Sequence, residues 1–373
     1  MTSIDLEGFD SNNQTPEATV HSICDQQSIP TMDCCVVHGT QTNRFSFGIG
    51  DRQQGQTSDL NRQSCHPHRF LIASITKPIV AIAVLKLAAE GRLNLSARIP
   101  ELLPRFRNST YRRITIRHLL THSSGLAESV VDNLQLRQAS ASIADFMAAA
   151  ETEALIFPPG SQCKYSSIGY QLLGTIVENL SGQTLADYLR IQIFEPLQMT
   201  DTSLGTEPND PTVVTNALPV WQHDADSWGW NSNYWKQFGA AWGGIYSTAD
   251  DLIRLAQMLL NNGISLAGTR VLPSAVVRSV FANQTAWIRS QPEFEGPAKD
   301  WSFGFRMQWP AHSAAFGDFV SEQTIGHWGA TGTLLWIDPA AQSAACVLTP
   351  IPFEKSRNAI QQISNLLACL ADC

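Results

Sequence analysis

A serine and a lysine three residues apart, in Ser74-Ile75-Thr76-Lys77, stand at the start of an apolar, Ala-rich run that ends at Glu90-Gly91. On a helix this spacing puts both side chains on one face within contact distance, so the amine could take the hydroxyl proton and activate the serine as a nucleophile. The neighbouring residues supply such a helix. Pro78 fits a first turn, where its missing N–H would have no partner anyway, and Gly91 fits the left-handed position that ends a helix. Between them Ile79, Val80, Ile82, Val84, Leu85 and Leu87 leave almost no polar face, so the helix is expected to be enclosed by protein. A lysine in the first turn faces the positive end of the helix dipole, and burial also disfavours its charge, so Lys77 is expected to have a lowered pKa. As plain structure, Ser74 would be an N-cap and Lys77 a surface residue. Spacing alone does not separate the two readings, because Ser161-Gln162-Cys163-Lys164 has the same pattern. Context does: the second copy follows Pro158-Pro159-Gly160 and leads into no long apolar helix from its serine.

Composition narrows the function classes. The 373 residues allow two domains or one catalytic unit of two lobes, and 43% apolar residues suffice for large cores. A net charge of −8 argues against a nucleic-acid partner, whose phosphates call for a basic face. No stretch is long and apolar enough to span a membrane. The first residues, Met1 to Glu7, carry acids where a secretory signal needs a positive region and an apolar core. Eight cysteines are spread thinly along the chain, so free thiols in a reducing, cytoplasmic compartment are expected rather than a disulfide framework. No Cys-x-x-Cys occurs. His118-Leu119-Leu120-Thr121-His122 has the spacing of a helical zinc pair but lacks its glutamate and reads as a helix end. His66-Pro67-His68 reads as a loop, and neither a metal nor a cofactor is expected.

The elements that must position Ser74 follow from patterning. Residues up to Gln14 read as trailing chain, and Thr15-Pro16-Glu17 opens a short helix that Pro30 stops. Cys34–His38 and Phe45–Ile49, joined by a polar turn, read as a hairpin followed by a Gly- and Gln-rich loop. Leu93 to Pro104 reads as irregular. Short helices are expected over Thr115–Leu120 and Ile143–Ala150, and a longer one after Tyr165-Ser166-Ser167, ending at Gly182. Trp221, Trp228, Trp230, Trp235 and Trp242, five of the ten tryptophans, crowd into an Asn- and Gly-rich loop that could line a cleft, form a lid or make a satellite core. Thr248 and Asp251 open an amphipathic helix stopped by Gly263. Strands are expected over Ser302–Trp309, Thr324–His327, Thr333–Ile337 and Ala345–Thr349, with a closing helix over Ile360–Leu370. Strands at both ends around a helical middle define an α+β class in which the terminal segments share one antiparallel sheet.

The order and spacing of Ser74-Ile75-Thr76-Lys77, Tyr165-Ser166-Ser167 and His327-Trp328-Gly329 resemble the serine β-lactamase and penicillin-binding protein superfamily, most closely the branch of class C β-lactamases, D-peptidases and related esterases. Leu119 to Leu126, Pro158-Pro159-Gly160 and Gly243 to Thr248 look like further signatures, so the resemblance covers most of the chain. It implies a β-lactamase-like fold of one catalytic unit over residues 15–371, with an α/β lobe from 15–73 and 246–371 and a mainly helical lobe from 74–245. It also implies roles. Ser74 attacks a carbonyl, Lys77 assists as base and Tyr165 passes a proton to the leaving group, which for a phenol of pKa about 10 requires a nearby cation. The backbone N–H groups of Ser74 and Ala330 form the oxyanion hole. Ser167, His327, Trp328 and Gly329 contact substrate.

Two departures from the family pattern bear on substrate. Ser167 replaces the asparagine of Tyr-x-Asn and offers no amide. His327-Trp328-Gly329 replaces Lys-Thr-Gly, so a largely neutral imidazole and a bulky indole stand where a cation and a hydroxyl help hold a substrate carboxylate. The first expectation is therefore an esterase or transacylase for uncharged esters with apolar or aromatic groups, taking a small-molecule ester or amide. A D-amino-acid amidase or D-peptidase comes second and a β-lactamase third. The alternative from another class is a silent ligand-binding protein. The sequence leaves the oligomeric state open.

Overall fold

The computed structural model describes residues 15–48, 68–107, 110–219, 222, 225–290, 300–308 and 316–371. The trailing N-terminal residues, the Gly- and Gln-rich loop with His66-Pro67, Trp221 and Trp309 lie outside the described residues. The strands in chain order are β1 (Met32–His38), β2 (Gln41–Phe47), β3 (Phe70–Leu71), β4 (Ser203–Leu204), β5 (Ile245–Ser247), β6 (Arg306–Met307), β7 (Ile325–Gly329), β8 (Thr333–Asp338) and β9 (Ser343–Leu348). A six-stranded antiparallel sheet has the order β2-β1-β9-β8-β7-β6, so segments from both ends of the chain share it.

Both faces of this sheet are covered, and the period of two sorts its side chains. Cys34, Val36, Leu334, Trp336, Ala345 and Val347 join a core with Val20, Cys24, Ile360 and Ile363 from the first and last helices, Pro16–Gln26 and Phe353–Leu370. The alternate residues Cys35, Val37, Leu335, Ile337, Ala344 and Cys346 join the larger core that also contains the helix Thr76–Ala89 and the helix Ala249–Leu260. That larger core continues into the helices Ser167–Ser181 and Leu185–Leu189 of the middle region.

Several local signals act as expected. Thr15 caps the first helix by accepting from the Ala18 N–H, Thr248 accepts from Asp251, and Gly182 ends its helix in the left-handed conformation. Other elements differ. The expected strand Ser302–Trp309 shrinks to Arg306–Met307, because Gly304 turns the chain at φ +83°. The stretch expected to be irregular contains one helical turn, Ile99–Leu102, with Pro100 in the first turn where it removes no bond. The first hairpin closes at Gly39-Thr40, so the polar residues Gln41–Arg44 belong to β2. The last helix starts at Phe353, directly after Pro352, rather than at Ile360. A second small sheet, β3-β5-β4, gave no sequence signal, its strands being two or three residues long. No described helix is long and apolar enough to cross a membrane.

Candidate active site

β3 delivers the chain into a single tight turn, Ala73–Ile75, from which the helix Thr76–Ala89 follows without a break. Ser74 therefore lies in the turn before the helix, and Lys77 is the second helical residue. The neighbours Phe70 to Ala73 and Ile75 to Val80 are buried, and only Ser74 among them is partly open. Ala73 holds a left-handed φ of +45°, a strained conformation for a residue with a Cβ that costs about 1–3 kcal/mol and persists only where surroundings enforce it. Three bonds enforce it here. Thr331 Oγ1 donates to the Leu71 carbonyl at 2.5 Å, Thr333 Oγ1 to the Ile72 carbonyl at 3.1 Å, and the Ile72 N–H to the Ile245 carbonyl at 3.0 Å. The first two tie the β7–β8 turn, and with it Ala330, to the Ser74 turn. Gly329 makes the approach possible: a Cβ there would collide with the Ile72 carbonyl and Thr333 Oγ1.

The structure brings Ser74, Lys77 and Tyr165 together. Lys77 Nζ stands 3.1 Å from Ser74 Oγ and donates to the Trp242 carbonyl at 2.7 Å, and Tyr165 Oη donates to Ser74 Oγ at 2.7 Å. Lys77 is fully buried. Burial is the main cause that pushes its pKa well below the ordinary lysine value; the Glu128 carboxylate pulls the other way and the Arg306 guanidinium adds to the lowering. A neutral amine spends one N–H on the Trp242 carbonyl and keeps a lone pair for the Ser74 proton. The Tyr165 hydroxyl is pushed up, chiefly by burial, with the Ser74 bond and Arg306 opposing. Tyr165 is thus a protonated donor at rest, and Arg306, 5.4 Å from its ring, stands where a nearby cation was expected.

These states predict the pH dependence. Protonated Lys77 has no lone pair, so activity is lost as pH falls through its lowered pKa and retained above it. The acid limb of kcat/KM for an uncharged ester is expected well below lysine's ordinary value of about 10.4. A limb near that value would contradict a neutral Lys77.

The other sequence-derived positions divide. Ser167 and Ala330 line the cavity beside Ser74, while His327, Trp328 and Gly329 are not on its wall. Strand alternation explains the placement of Trp328. Its cross-strand partner Leu334 belongs to the core under the last helix, and Trp328 stacks on Phe353 there with ring centres 5.6 Å apart. His327 pairs with Leu335 on the opposite face and is buried 5.8 Å from the Tyr165 ring, with Nδ1 2.7 Å from the Trp328 carbonyl. Burial, then Arg306 and Lys77, push its pKa well below the ordinary value, so it is neutral. The repeated Ser161-x-x-Lys164 pattern is not built like Ser74 and Lys77: Ser161 Oγ donates to the Pro158 carbonyl and the Lys164 side chain is exposed.

Sequence reasoning missed two residues beside Tyr165. His122, read as a helix end, sits at φ +56° with Nδ1 accepting the Ser166 N–H at 3.0 Å, and its ring lies 4.7 Å from Tyr165 and 4.2 Å from Trp301. It therefore fixes the segment that carries Tyr165. Arg306 places its guanidinium 3.7 Å from the Trp328 ring and 5.4 Å from Tyr165, and burial lowers its pKa to about 10, which leaves it charged. Only a paired edge strand brings it there, and no local motif announces it.

The cavity holds about 240 Å³. Val130, Phe146, Met147, Ile168 and the indoles of Trp230, Trp235 and Trp242 form much of its wall. The tryptophan-rich loop is thus part of the main core and the cavity wall at once, with Trp228, Trp230 and Trp235 buried. The wall contains no cluster of three metal-ligating side chains among the described residues.

A sheet built from both chain ends, a helical middle and a serine–lysine–tyrosine constellation between them define a class, and comparison with known proteins agrees. The chain belongs to the beta-lactamase family of serine hydrolases, whose family model matches residues 16–367. It is 30% identical to penicillin-binding protein 4 of Amycolatopsis lactamdurans over 304 residues, 75% of this chain and 71% of that one. It is 29% identical to the esterase EstB of Burkholderia gladioli over 353 residues, 85% of this chain and 84% of that one. Among solved structures, EstCE1, described as a hydrolase with promiscuous acyltransferase activity, superposes with a TM-score of 0.74 at 19% identity, covering 95% of this chain and 97% of its own.

Proposed function

We propose that the protein is an esterase working through an acyl-enzyme on Ser74, for esters whose larger group is apolar or aromatic. The observation that carries this reading is the wall of hydrocarbon and indole next to the Ser74–Lys77–Tyr165 contacts. Ser74 Oγ bonds to the ester carbonyl carbon as its proton passes to Lys77, and the backbone N–H groups of Ser74 and Ala330 receive the oxyanion. Collapse breaks the carbon–oxygen bond to the leaving alcohol, which takes a proton from Tyr165. Water then attacks the acyl-enzyme and gives a proton to the Tyr165 phenolate, the bond from the acyl carbon to Ser74 Oγ breaks as Lys77 returns its proton to that oxygen, and the acid leaves with Ser74, Lys77 and Tyr165 restored. An alcohol in place of water would give transacylation at the same site, and the resemblance to EstB and EstCE1 supports an ester over an amide.

Tyr165→Phe removes the donor while keeping the ring against His122, and is expected to lower kcat by at least about 100-fold. Near-normal turnover in that variant would remove Tyr165 from the proton path. The substrate reading is tested by comparing p-nitrophenyl butyrate with benzylpenicillin at pH 7. The ester is expected to have the higher kcat/KM, and the reverse order would put a β-lactamase or D-peptidase first.

A further inference from the structure

One cation on the cavity wall has no part in this chemistry. Arg137, near the end of the short helix Asn133–Gln138, is only 8% exposed and lines the cavity. Its guanidinium lies over Trp235, 4.5 Å from the ring centre, and its Nε and Nη1 are buried without a hydrogen-bond partner among the described residues. The indole Nε1 of Trp235, also on the wall, is buried and unpartnered too. Both groups can only donate, so together they leave a surplus of donors and no acceptor. Burial brings Arg137 down to about 10, and it stays charged at neutral pH. A buried charge without a hydrogen-bonded counter-charge is costly, whereas one that meets an anionic ligand is not.

Among the described residues no carboxylate fills that role, and the Tyr234 phenol, the group whose field acts on Arg137, donates its hydrogen to the Ala141 carbonyl. Glu128, the carboxylate on the same wall, is exposed and forms no ion pair with Arg137 among the described residues. Arg137 packs against the Trp235 ring, while the two cations beside Ser74, Lys77 and Arg306, lie 4.7 and 5.4 Å from the Tyr165 ring, so Arg137 serves a different stretch of the wall.

We propose that Arg137, backed by Trp235, recognises a carboxylate, so that the preferred substrates are esters whose cavity-filling group, acyl or alcohol, ends in a carboxylate. This rests on the reading of Ser74 as the esterase nucleophile and refines it. The negative charge is accepted at the tip of an apolar chain rather than beside the scissile bond.

The test uses pairs of esters of matched chain length that end in a carboxylate or a methyl group. Mono-p-nitrophenyl succinate and adipate against p-nitrophenyl butyrate and hexanoate probe the acyl side, and 6-acetoxyhexanoate against hexyl acetate probes the alcohol side. In at least one pair the wild type should favour the carboxylate by about 10-fold or more in kcat/KM, the effect of a hydrogen bond to a charged group. Arg137→Met and Arg137→Gln should each cut that ratio by about 10-fold. A purely structural Arg137 would change both members of a pair alike. The proposal is overturned if the wild type favours the methyl-ended ester in every pair, which needs no variant, or if the preference survives in either variant. p-Nitrophenyl acetate carries no terminal carboxylate and separates the two readings. Failure to acetylate Ser74 would remove the esterase reading itself, while acetylation without a carboxylate preference would remove only the Arg137 site.

Discussion

Ser74→Ala is expected to lower kcat for p-nitrophenyl butyrate by on the order of 10⁴-fold or more, since the loss of a nucleophile abolishes the covalent route and leaves only binding and oxyanion stabilisation. The fold should survive. Ser74 is the partly open residue of a buried turn, and the bonds that hold the turn are donated by the Thr331 and Thr333 hydroxyls to the carbonyls of Leu71 and Ile72, with no part for the serine hydroxyl. Ser161→Ala is the matched control, since its hydroxyl only donates to the Pro158 carbonyl at the surface. Circular dichroism of both variants and their steady-state rates decide the matter. Equal losses in two folded variants would contradict the assignment.

Lys77→Ala is expected to lower kcat by on the order of 10²- to 10⁴-fold, the range for losing a positioned base. Lys77→Arg is the sharper comparison. Arginine keeps a cation near the Trp242 carbonyl but cannot give up its proton, so it should not restore turnover. Recovery of most of the rate in Lys77→Arg would mean that the position needs charge rather than a base, contrary to the lowered pKa that burial imposes.

How far the sequence could be read depends on how local each cause is. The Ser74 helix was legible because its signals are contiguous: Pro78 near its start, Gly91 in the left-handed region at +73° after its end, and unbroken apolar residues between. The shared sheet was legible from alternation at both chain ends. The nearness of Tyr165 to Ser74 came only through resemblance, since ninety-one residues separate them and no periodicity links them. His122 was visible as a residue but not as a support, because its left-handed backbone and its bond to Ser166 exist only once the two segments meet. Motif position alone would set Trp328 against the substrate, whereas strand pairing with Leu334 sends it to the other face of the sheet. Arg306 and Arg137 carried no signal at all. An arginine in an edge strand or a short helix reads as a solvated charge until its burial among indole rings is known.

Intact-mass measurement after brief mixing with p-nitrophenyl acetate, followed by peptide mapping, tests the acyl-enzyme on Ser74 without any assumption about the natural substrate. The peptide that carries Ser74 should gain one acetyl group that decays at the rate of turnover and is absent from Ser74→Ala. Turnover with no adduct on that peptide, or an acetyl group of equal occupancy on the peptide that carries Ser161, would contradict Ser74 as the nucleophile.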